Sequence, residues 1–195
     1  MPETIAILLL AAGRGSRFGE APKLLALLEG KPLVRHAAEA ALASGLGPVT
    51  VVLGTHGPRI RAALDGLDLA CLTNPAPQDG LASSLRLGLA AVPAGTGGII
   101  VMLADMPRIR PDHLAALAAA YAAGEPRPAA VVPIHGGRRG NPVLLDRARL
   151  GQDIARLSGD RGAGRLLAGR GDVVEIAMDA AVRYDVDTPD ALDRA

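Results

Sequence analysis

The residues best suited to chemistry fall just after apolar runs. The first group is Leu10-Ala11-Ala12-Gly13-Arg14-Gly15-Ser16-Arg17-Phe18-Gly19, with Lys23 a short way on. Glycines let backbone N–H groups come close to an anion, and successive N–H groups form a concave anion site. Arg14 and Arg17 add forked donors, and Lys23 adds a point charge. This is the composition of a loop that cradles a triphosphate; taken alone, it also suits a surface turn. Two familiar phosphate loops do not fit. A Walker A loop requires Gly-Lys-Ser/Thr after a glycine and four residues. A dinucleotide loop requires a third glycine where Phe18 stands, and an acid after the second strand, where the chain reads Leu53-Gly54-Thr55-His56.

Two acidic groups follow. Asp105 ends the run Ile100-Val101-Met102-Leu103-Ala104, and Asp185 and Asp187 stand in Tyr184-Asp185-Val186-Asp187-Thr188-Pro189. Magnesium takes few protein carboxylates and completes its shell with phosphate and water, so one or two aspartates suffice. The structural alternatives are a turn aspartate before Pro107 and a helix cap at Asp187 with Pro189 in the first turn.

The elements that must position these groups alternate in type. Ile5–Leu10, Val49–Leu53, Leu69–Thr73, Ile99–Leu103, Ala129–Ile134, Val143–Leu145 and Val173–Ala177 read as strands. Pro32–Ala43, Arg59–Leu64, Leu81–Ala91 and Pro111–Ala123 read as helices, with short helical pieces at Ile154–Leu157, Arg165–Leu167 and Asp190–Arg194. Wholly apolar strands need cover on both faces. The alternation therefore predicts an α/β three-layer sandwich with a mostly parallel sheet, as a single domain over residues 1–195. In such sheets ligands meet the carboxyl ends of the strands, where the polar groups stand.

Composition excludes several functions. Of 195 residues, 21 are basic and 20 acidic, so no global positive field recruits nucleic acid or anionic membrane. Phe18, Tyr121 and Tyr184 are the only aromatics, too few for a base-stacking platform. No apolar stretch approaches the ~20 residues needed to span a bilayer. The single Cys71 precludes an internal disulfide, and a reducing cytoplasm fits best. His36, His56, His113 and His135 lack metal-ligand spacing and read as structural or surface residues.

The combination Leu10-Ala11-Ala12-Gly13-x-Gly-Ser16-Arg17-Phe18-Gly19, Pro22-Lys23-Leu24-Leu25 and Gly30-Lys31-Pro32-Leu33 resembles the opening signature of the MobA-like nucleotidyltransferases. It is most similar to the molybdenum cofactor cytidylyltransferases. The resemblance extends in dispersed motifs from Ile5 to Leu192. It implies a Rossmann-like fold and transfer of CMP from CTP to the molybdenum–molybdopterin cofactor, with Mg²⁺ held by Asp105 and Asp187 and pyrophosphate released. Leu10 to Arg17, Lys23 and Asp105 would form the triphosphate side, with Arg17, Lys23 and Asp105 catalytic. Asn74, Gln78, Gly80, Ser83 and Ser84 match a segment that touches base and ribose. Arg138, Gly140, Asn141, Pro142 and Asp160 match acceptor-side positions. Histidine is common where Asn141 stands, and a basic residue where Gly164 stands. Guanylyl-transferring relatives tend to carry Gly-Gly where Ala12-Gly13 stands, which points to CTP. Guanylyl transfer, another phosphorylated acceptor (a sugar, a polyol or phospholactate), and a non-catalytic role delivering cofactor to a molybdoenzyme client are the alternatives.

Overall fold

The computed structural model describes residues 4–13, 18, 22–159 and 162–192, without the side chains of Pro189 and Asp190. In chain order the strands are β1 (Thr4–Ala11), β2 (Leu27–Leu28), β3 (Lys31–Pro32), β4 (Val49–Leu53), β5 (Ala70–Thr73), β6 (Thr96–Leu103), β7 (Ala130–His135), β8 (Arg138–Arg139), β9 (Val143–Asp146) and β10 (Val173–Ala177). The helices are α1 (Leu33–Ala43), α2 (Gly57–Ala63), α3 (Leu81–Ala91), α4 (Pro111–Ala123), α5 (Arg147–Ala155), α6 (Ala163–Leu166) and α7 (Pro189–Leu192).

The main sheet runs β10-β7-β9-β6-β1-β4-β5, with β8 hairpinned onto β7. β5, β4, β1 and β6 are parallel neighbours, as are β7 and β10, whereas β9 is antiparallel to both β6 and β7. β2 and β3 form a separate small hairpin.

Strand β1 is central. Because side chains alternate across a strand, Ile5, Ile7, Leu9 and Ala11 enter one core with α1, α2 and α4. Ala6, Leu8 and Leu10 enter the other core with α3, α5 and α6. This is why the run has no polar position: a residue on either face is removed from water. Gly88 of α3 sits against Leu8, where a Cβ would come within 2.9 Å of the leucine side chain.

The expectation of a mostly parallel sandwich with helices on both faces is met. Helix α5 was expected only as a piece around Ile154–Leu157; it starts at Arg147 instead. Asp146 ends β9 and caps the helix by accepting from the Arg149 N–H at 2.8 Å, and Leu150 and Ile154 are its buried i,i+4 pair. The other oxygen of Asp146 accepts from the Tyr121 hydroxyl at 2.8 Å, which ties α4 to the β9–α5 corner. Burial and the neighbouring Asp146 carboxylate push the Tyr121 phenol well above its ordinary pKa, so it stays a donor at every practical pH.

Both groups of this pair are buried, so deleting the hydroxyl strands a carboxylate oxygen. Tyr121→Phe is expected to lower stability by roughly 1–3 kcal/mol in a urea denaturation series, with an unchanged far-UV spectrum.

Candidate functional site

Strands β1 and β6 end side by side. Leu10 pairs with Leu103, and the Ala104 N–H donates to the Leu10 carbonyl at 3.1 Å. Asp105 therefore leaves the sheet next to Ala12 and Gly13, the first residues of the glycine-rich loop. Gly54, at the end of β4, makes room for that departure: a Cβ on it would lie 2.7 Å from the Ala12 carbonyl oxygen. Arg14, Gly15, Ser16 and Arg17, expected at the triphosphate, lie outside the described residues, as does Asp160.

The C-terminal segment comes back to the same spot. The Val186 N–H donates to the Asp105 carbonyl at 2.9 Å, and Val186 is itself fully buried. Arg108 stacks over the Tyr184 ring, 4.0 Å from its centre, and the Tyr184 hydroxyl donates to the Ala191 carbonyl. These contacts hold residues 184–187 across the mouth of β6. Upstream, Asp179 caps the turn Ala180–Arg183 and pairs with Arg110 at 2.7 Å and with the His113 ring at 3.2 Å. The Arg110 guanidinium, the Ala181 N–H and His113 together hold the Asp179 carboxyl down at about 2.

Lys23, on a 3-10 turn at Lys23–Leu25, closes the group. Its Nζ lies 2.6 Å from Asp105 Oδ2 and 3.0 Å from Asp187 Oδ1. Burial opposes the charge on Lys23, but Asp105 and then Asp187 outweigh it and hold the ammonium pKa above its ordinary value. The second oxygen of Asp105 is buried and, among the described residues, has no hydrogen-bond partner. Asp185 is the third carboxylate of the group. Partial burial, then Asp187 and Asp105, push its pKa up, so the three acids feel one another. Sequence reading set Asp185 aside in favour of Asp187; its part in the shared field was not readable from spacing.

Two cavities flank these strand ends. One, of about 330 Å³, brings Leu10 and Leu103 together with Val143, Gly140 and Asn141, and with Gly162 and Arg165 around α6. The other, of about 400 Å³, brings Gln78 and Gly80 against Ser158, Gly159 and Arg86. Gly80 holds φ +83° and ψ −174°, a combination that side chains resist, at the start of α3. Gly140 approaches Val182 so closely that a Cβ would fall 2.1 Å from the Val182 carbonyl oxygen, and the Asn141–Pro142 bond beside it is cis.

Several of the expected site residues make contacts within the fold. Asn74 was expected to read a base edge, and Ser83 and Ser84 to face an anion. Instead the Asn74 amide donates to the Ser83 and Ser84 hydroxyls at 2.8 and 2.9 Å and accepts from the Ala76 N–H at 3.0 Å. All three residues are buried, so they form an internal strut that fixes the Gln78–Gly80 loop. Arg138 is exposed at the hairpin tip and does not line the acceptor-side cavity. Arg139 lines it, but donates to Glu175 at 2.6 Å and to the Leu167 carbonyl at 2.8 Å. Arg165 also lines it. Sequence reading noted Gly164 and did not single out Arg165 beside it.

A Rossmann-like sheet with acids at the strand ends and a lysine between them defines a nucleotide-handling α/β protein. The chain matches the model of the MobA-like NTP transferase domain over residues 7–175, and it belongs to that family. It is 30% identical over 191 residues to the nicotine blue oxidoreductase of Paenarthrobacter nicotinovorans, covering 95% of this chain and 93% of that one. Among solved structures, Rv0371c of Mycobacterium tuberculosis H37Rv superposes with a TM-score of 0.86 at 30% identity, over 100% of this chain and 98% of that one. A complex of the same mycobacterial protein with manganese superposes at 0.80 and 30% identity, over 98% and 97%. Among the described residues, no helix is long and apolar enough to cross a membrane.

The Asp179 cluster positions the segment that carries Asp187, and its effect depends on pH. Because the folded-state pKa of Asp179 is depressed, its stabilisation is full above the ordinary aspartate value and is lost as pH falls toward about 2. Asp179→Asn should melt at a lower temperature than the wild type at pH 7, and the gap should narrow steadily in melts taken below pH 4.

Proposed function

We propose that this protein is a divalent-metal-dependent nucleotidyltransferase that moves CMP from CTP to the phosphate of the molybdenum–molybdopterin cofactor, releasing pyrophosphate. The observation that carries the reading is the junction of Lys23, Asp105 and Asp187 at the carboxyl ends of β1 and β6, with one Asp105 oxygen buried and, among the described residues, unpartnered. Such an oxygen suits a cation, and carboxylates suit magnesium or manganese. Among the described residues no group of three or more His, Cys, Asp or Glu side chains has metal-cage geometry.

Asp105 and Asp187 would hold the ion, which supplies charge neutralisation at the triphosphate. The chain's own groups do the rest. The loop from Leu10 through Gly13, with Arg14, Gly15, Ser16 and Arg17, is proposed to cradle the phosphates with backbone amides and guanidinium groups. Lys23 places a positive charge where charge develops on the leaving pyrophosphate. Gln78 and Gly80, held by the Asn74 strut, face the base and ribose in place of Asn74 itself. The cavity of Gly140, Asn141 and Arg165 receives the acceptor, with Arg165 on its anionic group; Pro142 shapes the loop, and Asp160 is assigned to the same side by its motif. A phosphate acceptor is already ionised near neutral pH, so the chain need supply no general base, and catalysis is positioning and electrostatics. Ala12 in place of glycine favours the smaller pyrimidine, an effect of one methyl worth about 1–3 kcal/mol.

The test is pyrophosphate release with Mg²⁺ and molybdenum cofactor, comparing CTP, GTP and ATP. The expected result is cofactor-dependent release with CTP, reduced at least about a hundredfold in Asp105→Asn. Release with GTP alone would assign guanylyl transfer to the same site. Binding of a triphosphate without release, across sugar-, polyol- and lactate-phosphate acceptors as well, would reduce the protein to a cofactor-delivery role.

A further inference from the structure

The acidic pair at the end of β6 already holds a cation belonging to the chain. Lys23 Nζ lies within hydrogen-bonding distance of Asp105 Oδ2 and Asp187 Oδ1, and its side chain is only 11% exposed. Both contacts are charge-assisted and therefore strong for their kind. One ammonium meets two carboxylates here, so the pair keeps an excess of one negative charge. Asp105 Oδ1, buried and without a partner among the described residues, is an acceptor that the lysine leaves unused.

The oxygens that hold an ammonium here are the hard donors a divalent ion takes. The two cations cannot share them cheaply. Between a unit and a double charge a few ångströms apart, repulsion is strong even at an effective dielectric constant of about 20. Whichever is bound must drive the other away. Lys23 can yield without unfolding anything. It rides on a short 3-10 turn beside the glycine-rich loop, its stem has four rotatable carbons, and the turn is fixed by the Leu25 and Ala26 N–H groups and by buried Leu24.

We propose that Lys23 is an exchangeable occupant of the cation site: a divalent ion binding Asp105 and Asp187 expels the ammonium, and the released lysine turns to the anionic substrate. This rests on the metal reading given above and adds to it an order of events. Until the ion arrives, Lys23 keeps the two aspartates and the segment bearing Asp187 together. Once it arrives, the lysine charge is delivered to the phosphates at the moment they can be held. Metal loading and anion capture are thereby coupled, and the coupling works in both directions.

The test uses metal ions alone, without nucleotide, on the full chain. Free Mn²⁺ is followed by electron paramagnetic resonance in titrations of wild type, Lys23→Met and Asp105→Asn, each first checked for a cooperative melt. Lys23→Met is expected to bind Mn²⁺ about five- to tenfold more tightly than wild type, because it no longer has an ammonium to expel; Asp105→Asn is expected to lose binding. The second measurement needs no substitution in the test sample. Lys23 and Lys31 are the only lysines, so protein labelled with [¹⁵N]lysine gives two ammonium signals, assigned with Lys23→Met. Adding Mg²⁺ should move the Lys23 signal along the same binding curve and leave Lys31, which is paired with Glu39, in place. A Lys23 signal unmoved at saturating Mg²⁺, with Mn²⁺ no tighter in Lys23→Met but lost in Asp105→Asn, would overturn the exchange and leave the metal site standing. Undiminished Mn²⁺ binding in Asp105→Asn would remove the metal site and the exchange together.

Discussion

Strand β1 carries a constraint that the other elements satisfy. It is hydrogen-bonded along both edges, to β4 and β6, and covered on both faces by helices. No residue from Ile5 to Ala11 is more than 8% exposed. A strand so enclosed cannot slip by one residue without exchanging its two sets of side chains between cores. Its end point is therefore fixed, and with it the place where the chain first meets solvent, at Ala12 and Gly13. The register of β6 against β1 then fixes where Asp105 emerges. The positions of the polar groups at the site are set by apolar packing below them.

Electrostatics acts on top of that frame and partly against it. Three aspartates gathered at one strand end repel one another, which the raised proton affinity of Asp185 records. Lys23 relieves part of this, and the Val186–Asp105 backbone bond holds the segment where repulsion would push it out. Remote contacts share the load: Arg108 on Tyr184 and the Asp179–Arg110 pair tie the chain just before Asp185 to the chain just after Asp105. The acids are thus kept close by packing and backbone bonds.

Much of this was legible in the sequence, and the rest was hidden for identifiable reasons. Apolar runs located β1, β4 and β6, and the rule that ligands meet strand ends singled out Asp105 and the loop after Leu10. Lys23 and Asp187 were found through their motifs; that they meet at one carboxylate pair is tertiary information. Strand direction was not readable, since Val143–Leu145 is equally apolar whether it runs parallel or, as β9 does, antiparallel. Helix α5 was half missed because Gly151 and its charged residues blur the period, while its cap depends on Asp146 ending a strand. Asn74 carries donors and acceptors that suit a base or a neighbouring turn, and only the fold of residues 74–84 decides for the turn. Gly54 looked like an ordinary break and Gly140 like part of an acceptor-side loop; their need for a bare Cα comes from Ala12 and Val182, far away in the chain.

The spacing of the ion-paired residues has a consequence for how the protein becomes active. Lys23 is 82 positions from Asp105 and 164 from Asp187. Contacts of such long range close late, because the loop entropy must be spent before they stabilise anything. The sheet around β1, β4 and β6 is complete in sequence by Leu103, so a nascent chain emerging from the ribosome can build its centre long before it owns Asp187. The junction of Lys23, Asp105 and Asp187 is then the last part to mature, assembled when the C-terminal segment lies down across the finished strand ends. A chain released before Asp187 would lack the second carboxylate.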